Sequence, residues 1–326
     1  MINSSSTIDN VQFLNHRVGC SGSVTYIYGD AIALWIEGSS PTVKHSTFKK
    51  NTTGIVIQNG ASPVIENNIF EENEKPIFVY NSYPSFMNSQ ATNNNLNGIL
   101  VFNTTLTQNT TWQADLPYII DGTLTVSQNV IFTLEPGVVI KFRDSNSEMT
   151  VDGTLKAIGG ETDDKKIIFT SYNSNPQAGD WKQIYFSPES SHSEPELISE
   201  LINVRVEYGG EWPTAWGCHS YRAAIRVKDT SIILKDSILE NNKNRGLYLI
   251  NSSSTIDNVQ FLNHRVGCRG VSITYEAIAL LVDGDSPTIE NSTFKNNYYG
   301  IYIQSGNPIL TNLTFENNNQ NIFPLP

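Results

Sequence analysis

Basic residues, cysteine and long apolar runs are all scarce in this 326-residue chain, and each shortage removes a class of function. Lys and Arg number 21 against 32 Asp and Glu, which gives a formal net charge of −11. Nucleic acid and anionic membrane both demand basic patches, so neither is expected as a partner. No apolar stretch approaches the roughly 18 residues needed to span a bilayer. Met1 is followed by polar residues rather than by the apolar core of a secretory leader. The chain starts inside a repeat, so a truncated N-terminus is the expected reason. The 3 cysteines form no C-x-x-C and the 5 histidines no H-x-x-x-H, so spacing offers no metal site, and no cofactor is expected. Hydrophobic content is 39%, low for one compact core and sufficient for a thin, ribbon-like one.

What is abundant is repetition. Ile2–Cys20 recurs without a change at Ile250–Cys268, and the two copies remain alignable beyond that run, Gly54 with Gly300 and Phe70 with Phe315. A long module carried twice in tandem points to a body built by stacking along one axis. An enzyme needs its site once, so the duplication leans toward a structural or adhesive role.

A shorter period lies inside each module. AIALWIEG, TGIVIQNG, KPIFVYNS and NGILVFNT begin at residues 31, 53, 75 and 97, a period of 22. The second copy answers with RGLYLINS, AIALLVDG and YGIYIQSG. Alternation over five or six residues, bounded by Gly, Asn, Ser and Pro, marks a half-buried strand. A period this short leaves no room for a crossover helix. The economical fold is an all-β solenoid with coils of about 22 residues stacked in parallel about 4.8 Å apart, and longer loops on alternate coils. An Asn follows a large apolar residue by three positions at Phe48/Asn51, Phe70/Asn73, Leu239/Asn242, Phe294/Asn297 and Phe315/Asn318. Stacked Asn side chains satisfy turn polar groups that a narrow solenoid half buries. His16 and His264 hold the same offset and are read as substitute rungs.

These residues resemble the right-handed parallel β-helix superfamily, with its pectate-lyase-like fold. A second resemblance covers residues 112–210. The run WQADLPYIIDGTLTVSQNVIFTLEPGVVIKF and the later VDGTLKAIGG, KKIIFTS, GDWKQIYF and INVRVEYGG look like the opening coils of β-helix modules in large secreted or surface proteins. The resemblance implies a module start near residue 106. Residues 1–105 are then the C-terminal part of one module and 106–326 most of a second, either separate or in one continuous solenoid. It also implies an extracellular or cell-surface location.

Placing Ile32, Leu34 and Ile36 inside sends Ala33, Trp35 and Glu37 outward. The same phase puts Val56, Phe78, Tyr80, Leu100 and Phe102 outside in the first module, and Arg226, Lys228, Tyr248, Leu281 and Tyr302 outside in the second. A contiguous water-facing stripe marks a contact surface, for sugar rings or for another solenoid, unless loops fold over it. The loop EWPTAWGCHSYR adds Trp212, Trp216, His219, Tyr221 and Arg222, a set suited either to carbohydrate or to packing on itself. Three insertions each carry one cysteine. Cys218 and Cys268 lie two coils apart, roughly 10 Å, so a disulfide requires their loops to bend to a Cα separation of about 7 Å. It is expected in an oxidising compartment, with Cys20 left single by truncation.

Catalytic readings compete with this. Polygalacturonase-like β-helices combine an Asp pair, a Gly-His-Gly and an Arg-x-Lys. Here Asp163 and Asp164 precede a strand in a polar turn, Gly217-Cys218-His219 departs from the pattern, and Arg226-Val227-Lys228 fits loosely. Glu37, Asp229 and Asp283 share one outward position in this phase, and Asp229 with Asp283 would suit an inverting glycosidase. The expected function is a structural or adhesive module, with glycan or surface protein, other modules of the same protein or further copies of itself as partners. The alternative is a polysaccharide lyase or hydrolase using Asp229, Asp283, Arg226 and Lys228.

Overall fold

A computed structural model describes residues 5–17, 31–190, 194–211, 223–267 and 277–324. Among them, every regular element is a short strand or a 3-10 turn, and every strand pair is parallel. The chain is a right-handed parallel β-helix.

In the first module each coil contributes one strand of six residues and two of three. Ile32–Glu37, Thr42–Lys44 and Thr47–Lys49 are followed by Thr53–Gln58, Val64–Glu66 and Ile69–Glu71, and then by Lys75–Tyr80, Ser85–Met87 and Gln90–Thr92. The pairing register stacks like on like. Leu34, Ile55, Ile77 and Ile99 form one interior column, and Val43, Ile65 and Phe86 a second. Phe13, Phe48 and Phe70 form the third, with ring centroids 4.6 and 5.0 Å apart and planes within 12°. Phe261, Phe294 and Phe315 repeat that stack in the second module at 4.7 and 5.3 Å. Ring spacing near the strand spacing means that each aromatic covers its neighbour's whole face, which hides apolar area without a thick core.

One interior assignment is corrected. Ile32 pairs with Thr53 and packs in a cluster outside the tube, while Ala33 packs against the inner core. The step from Glu37 to its partner Gln58 is 21 residues, which sets Leu34 rather than Ile32 beside Ile55, and the alternation breaks where Ala33 and Leu34 both face the inner core.

Turns explain the asparagine content. Among the described residues, 26 other than glycine have positive φ, and 19 of these are Asn. Each coil bends by single left-handed residues, and Asn is the side chain that tolerates this conformation best after glycine. The interior ladder expected from the Phe-x-x-Asn spacing is formed. Asn51 Nδ2 donates to Asn73 Oδ1 at 3.0 Å, Asn73 Nδ2 to Asn94 Oδ1 at 3.0 Å, and Asn94 Nδ2 to Asn97 Oδ1 at 3.0 Å. The same amides donate back to Phe13, Phe48 and Phe70 carbonyls. In the second module the rungs run Asn242, His264, Asn297, Asn318. A second ladder, Ser46, Asn68, Ser89, ends on the Asp115 carboxylate, which accepts the Ser89 N–H.

The junction is a change of face rather than a break. Ile99–Leu106 and Tyr118–Val126 are long strands, each spanning two columns, with a bulge where Phe102/Asp121 gives way to Thr104/Leu124. Their first halves continue the long-strand column of the first module. Beyond them that column holds Val139–Phe142, Ile167–Ser171, Val204–Glu207 and, further on, Gln260–Leu262 and Thr293–Lys295. Their second halves begin a new column that leads to Glu148–Val151, Ile184–Phe186, Ile225–Lys228, Arg245–Ile250, Ile278–Asp283 and Tyr299–Ser305. Equivalent strands of the two modules, Ile32–Glu37 and Ile278–Asp283 for example, therefore lie one face apart around the tube. Gly98 is needed here, because a Cβ would sit 2.5 Å from the Pro117 carbonyl oxygen.

Two outcomes test the ladders. Asn73→Leu strands the Asn51 N–H and the Phe48 carbonyl inside the tube, and should cost on the order of 3 kcal/mol in urea denaturation, with faster hydrogen exchange in coils 42–94. His264 is buried as a neutral rung: Asn242 Nδ2 faces its Nε2 at 3.4 Å, and its Nδ1–H donates to Asn297 Oδ1 at 3.0 Å. Burial pushes its pKa down from 6.5 to about 4, the Asn297 bond opposing in part. The unfolded chain therefore takes up the proton first as pH falls. Stability is full above pH 6.5 and declines toward pH 4, by roughly 3 kcal/mol. His264→Asn should flatten this part of the unfolding profile, and an imidazole titrating near 6.5 in the folded protein would contradict it.

Candidate binding faces

Side chains outside the first module's long strands form a file: Trp35, Val56, Phe78, Leu100 and Ile119 are successive register partners. The expectation that this stripe meets water is corrected. Phe78 is 1% exposed, and Val56, Leu100 and Ile119 are buried with it in a second apolar layer outside the tube. Leu96 and Tyr172 supply the cover. They come from the segments between strands Gln90–Thr92 and Ile99–Leu106 and after Ile167–Ser171, and the Tyr172 hydroxyl reaches the Asn95 carbonyl at 3.4 Å. Trp35, Tyr80 and Phe102 form a half-buried rim, with Phe102 6.1 Å from Phe78.

Beside this layer, where the file passes from Ile119 to Lys141, lies a groove of about 630 Å³ lined by Asn95, Asn97, Lys141, Tyr172, Asn173 and Ser174. None of these residues stood out in the sequence. The signal that would find them is the sheet crossing at 99–126, which brings a loop of one module over a strand of the next.

The second module's file runs Tyr185, Arg226, Tyr248, Leu281, Tyr302, Phe323. Here too the expected exposure is corrected: Tyr248 and Tyr302 are 2% and 1% exposed, and Leu281 is buried. Ring on ring accounts for part of it, Tyr302 stacking on Phe323 at 5.4 Å. Arg226 sits 4.6 Å above the Tyr185 ring, and the buried Arg245 lies 5.1 Å from that of Tyr248. Burial pushes the Tyr185 and Tyr302 hydroxyls above their usual range.

The acidic residues of this face are engaged. Asp283 accepts from Tyr248 Oη at 3.2 Å, Gln304 Nε2 at 3.0 Å and Ser305 Oγ at 2.9 Å. Asp229 accepts from Asn251 Nδ2 at 2.8 Å and has the Lys228 ammonium 3.8 Å away. The three carboxylates assigned one outward position do not share it. Lys228, Ile250 and Asp283 are register partners, whereas Asp229 is one residue further, at a positive-φ turn position beside Asn251. Glu37 pairs with Gln58 in the other column. A cleft of about 370 Å³ between Ser190, Asp229, Thr230, Asn251 and Asp285 is lined mostly by polar atoms. Glu207, not anticipated, is pushed upward by burial, the Thr170 hydroxyl bond at 2.8 Å opposing and Glu240 adding to it.

Among the described residues no group of three or more His, Cys, Asp or Glu is placed to hold a metal ion. Trp212, Trp216, His219, Tyr221, Arg222 and the cysteines Cys20, Cys218 and Cys268 lie outside the described residues. Residues 1–154 match the family model for the right handed beta helix region, and the same strand pairing continues to residue 324. Neither a curated protein nor a solved structure matches the chain.

The burial of the stripe has a direct test. Phe78→Ala should lower stability by about 3 kcal/mol, the usual cost of a truncated core aromatic, read as the denaturation midpoint. A stripe open to water would leave the midpoint nearly unchanged.

Proposed function

We propose that this chain is a non-enzymatic structural and adhesive stretch of a larger secreted or cell-surface protein, whose grooves contact glycan. The observation that carries the reading is the employment of its acidic residues. Asp283 accepts from three donors and Asp229 is tied to a turn amide, on different rungs, so the pair lacks the free, facing carboxyls that glycoside hydrolysis requires. Glycan is favoured over other partners by the chemistry of the two grooves, lined largely by Asn, Ser, Thr and Tyr with Asp229, Asp285 and Lys141 among them, which exchange hydrogen bonds with hydroxyls. Continuous stacking across the module junction supports a stalk that bears load along its axis, with further modules or further copies extending it.

A glycan array run beside a reducing-end release assay tests this. Retention of some glycan without release is the expected result, and Asp229→Asn and Asp283→Asn should likewise show no release. Release that disappears in those variants would establish the hydrolase or lyase reading instead.

A further inference from the structure

The file of side chains that begins at Trp35 changes chemistry at the junction. Ile119 is followed by Lys141 and then Thr170, whose hydroxyl bonds Glu207. Among the described residues, Lys141 is the only basic side chain lining the groove of about 630 Å³.

Its situation differs from that of the other half-buried lysines on these sheets. Lys156 lies 2.8 Å from Glu200, Lys182 2.6 Å from Glu148, Lys235 3.0 Å from Asp257 and Lys295 2.7 Å from Glu316. Among the described residues Lys141 has neither an ion pair nor a side-chain hydrogen bond. In a chain with 11 more formal negative than positive charges, a half-buried lysine left without a carboxylate among the described residues is conspicuous.

The rest of the lining keeps polar groups to offer. The Oδ1 of Asn97 is taken by Asn94, which leaves its Nδ2 to donate. The side chains of Asn95, Asn173 and Ser174 make no hydrogen bond among the described residues. Tyr172 packs on the outer apolar cluster and ties its loop to Asn95, so one wall of the groove is fixed.

We propose that this groove binds a sugar residue bearing an acidic substituent, a carboxylate or a sulfate ester. The Lys141 ammonium meets the acidic group, the Asn97, Asn95 and Asn173 amides meet ring hydroxyls, and Tyr172 supplies apolar contact. The assignment rests on the glycan reading above and adds to it a place and a charge.

Calorimetric titration of the full chain with three probes tests it: a hyaluronan octasaccharide carrying carboxylates, a carrageenan octasaccharide carrying sulfates, and neutral cellohexaose. At least one acidic probe should bind about tenfold or more tighter than cellohexaose, the value of a charge-assisted contact. Lys141→Gln should erase that preference with the melting temperature unchanged, Lys141→Arg should keep it, and Lys165→Gln, at an exposed turn, should leave it intact. Carboxylate and sulfate are told apart by which probe wins. Equal binding of the neutral probe, or a preference that survives Lys141→Gln, overturns the groove assignment while the glycan reading stands. Binding of no oligosaccharide to the unaltered chain, on these probes and on the array, sinks both.

Discussion

A tube only a few side chains across has no depth in which to hide its turns, so each turn must hydrogen-bond to the turn above it. Most features of this chain follow from that constraint. An amide side chain offers a donor and an acceptor in one plane, which is what a coil-to-coil rung requires. Asn also tolerates the left-handed backbone at which the coil bends, and so one residue type serves both needs. His264 serves as a rung only while neutral, because its Nε2 must accept where its Nδ1 donates. The ladders end on loop residues, Asn97 and Asp115, at the point where two short-strand columns of the first module stop. The junction is thereby closed by the same chemistry that builds the coils.

How much of this is legible in the residues themselves depends on whether a feature repeats. The interior columns through Ile55 and Ile77, the phenylalanine stacks and the rung positions all recur coil after coil, and alternation with turn chemistry is enough to find them. Ile32 is misread because the alternation breaks at the start of its strand, where Ala33 and Leu34 both pack on the inner core and Ile32 is left outside; in a strand a one-residue break exchanges inside for outside. The same sensitivity separates Asp229 from Asp283. Burial of Phe78, Tyr248 and Tyr302 is invisible to periodicity, since a side chain outside the tube is exposed only if nothing folds over it. Leu96 and Tyr172 come from segments without a repeat pattern. The Lys141 groove is hidden for the related reason that it exists only once.

Charge follows the stacking as well. Parallel, in-register coils bring equivalent residues about 4.8 Å apart, so a column of identical acids would repel itself. The acidic excess is instead interleaved with lysines one coil away, as at Lys49 with Glu71, Lys235 with Asp257 and Lys295 with Glu316. Exposed pairs of this kind contribute little stability singly. Their effect is to cancel a repulsion imposed by the register, which lets an acidic chain form a close-stacked solenoid. Where Glu207 lies over Glu240, Arg205 bonds the second carboxylate at 3.3 Å and the first is left partly desolvated.

The displacement of equivalent strands by one face limits what duplication achieves. Two near-copies in tandem ordinarily present the same surface twice along one side, which doubles the valency toward a repeating partner. Here the long strand of the first module runs into the short-strand column of the second, so the two aromatic files stand on neighbouring faces. A linear polymer lying along one face meets the half-buried rim of one file, Trp35, Tyr80 and Phe102, and then its charged continuation at Lys141 and Glu207, rather than a second equivalent file. Identity of sequence between the modules therefore does not make them identical sites. The surface created where they join belongs to neither copy, and it is there that the chain places a half-buried lysine with no carboxylate beside it among the described residues.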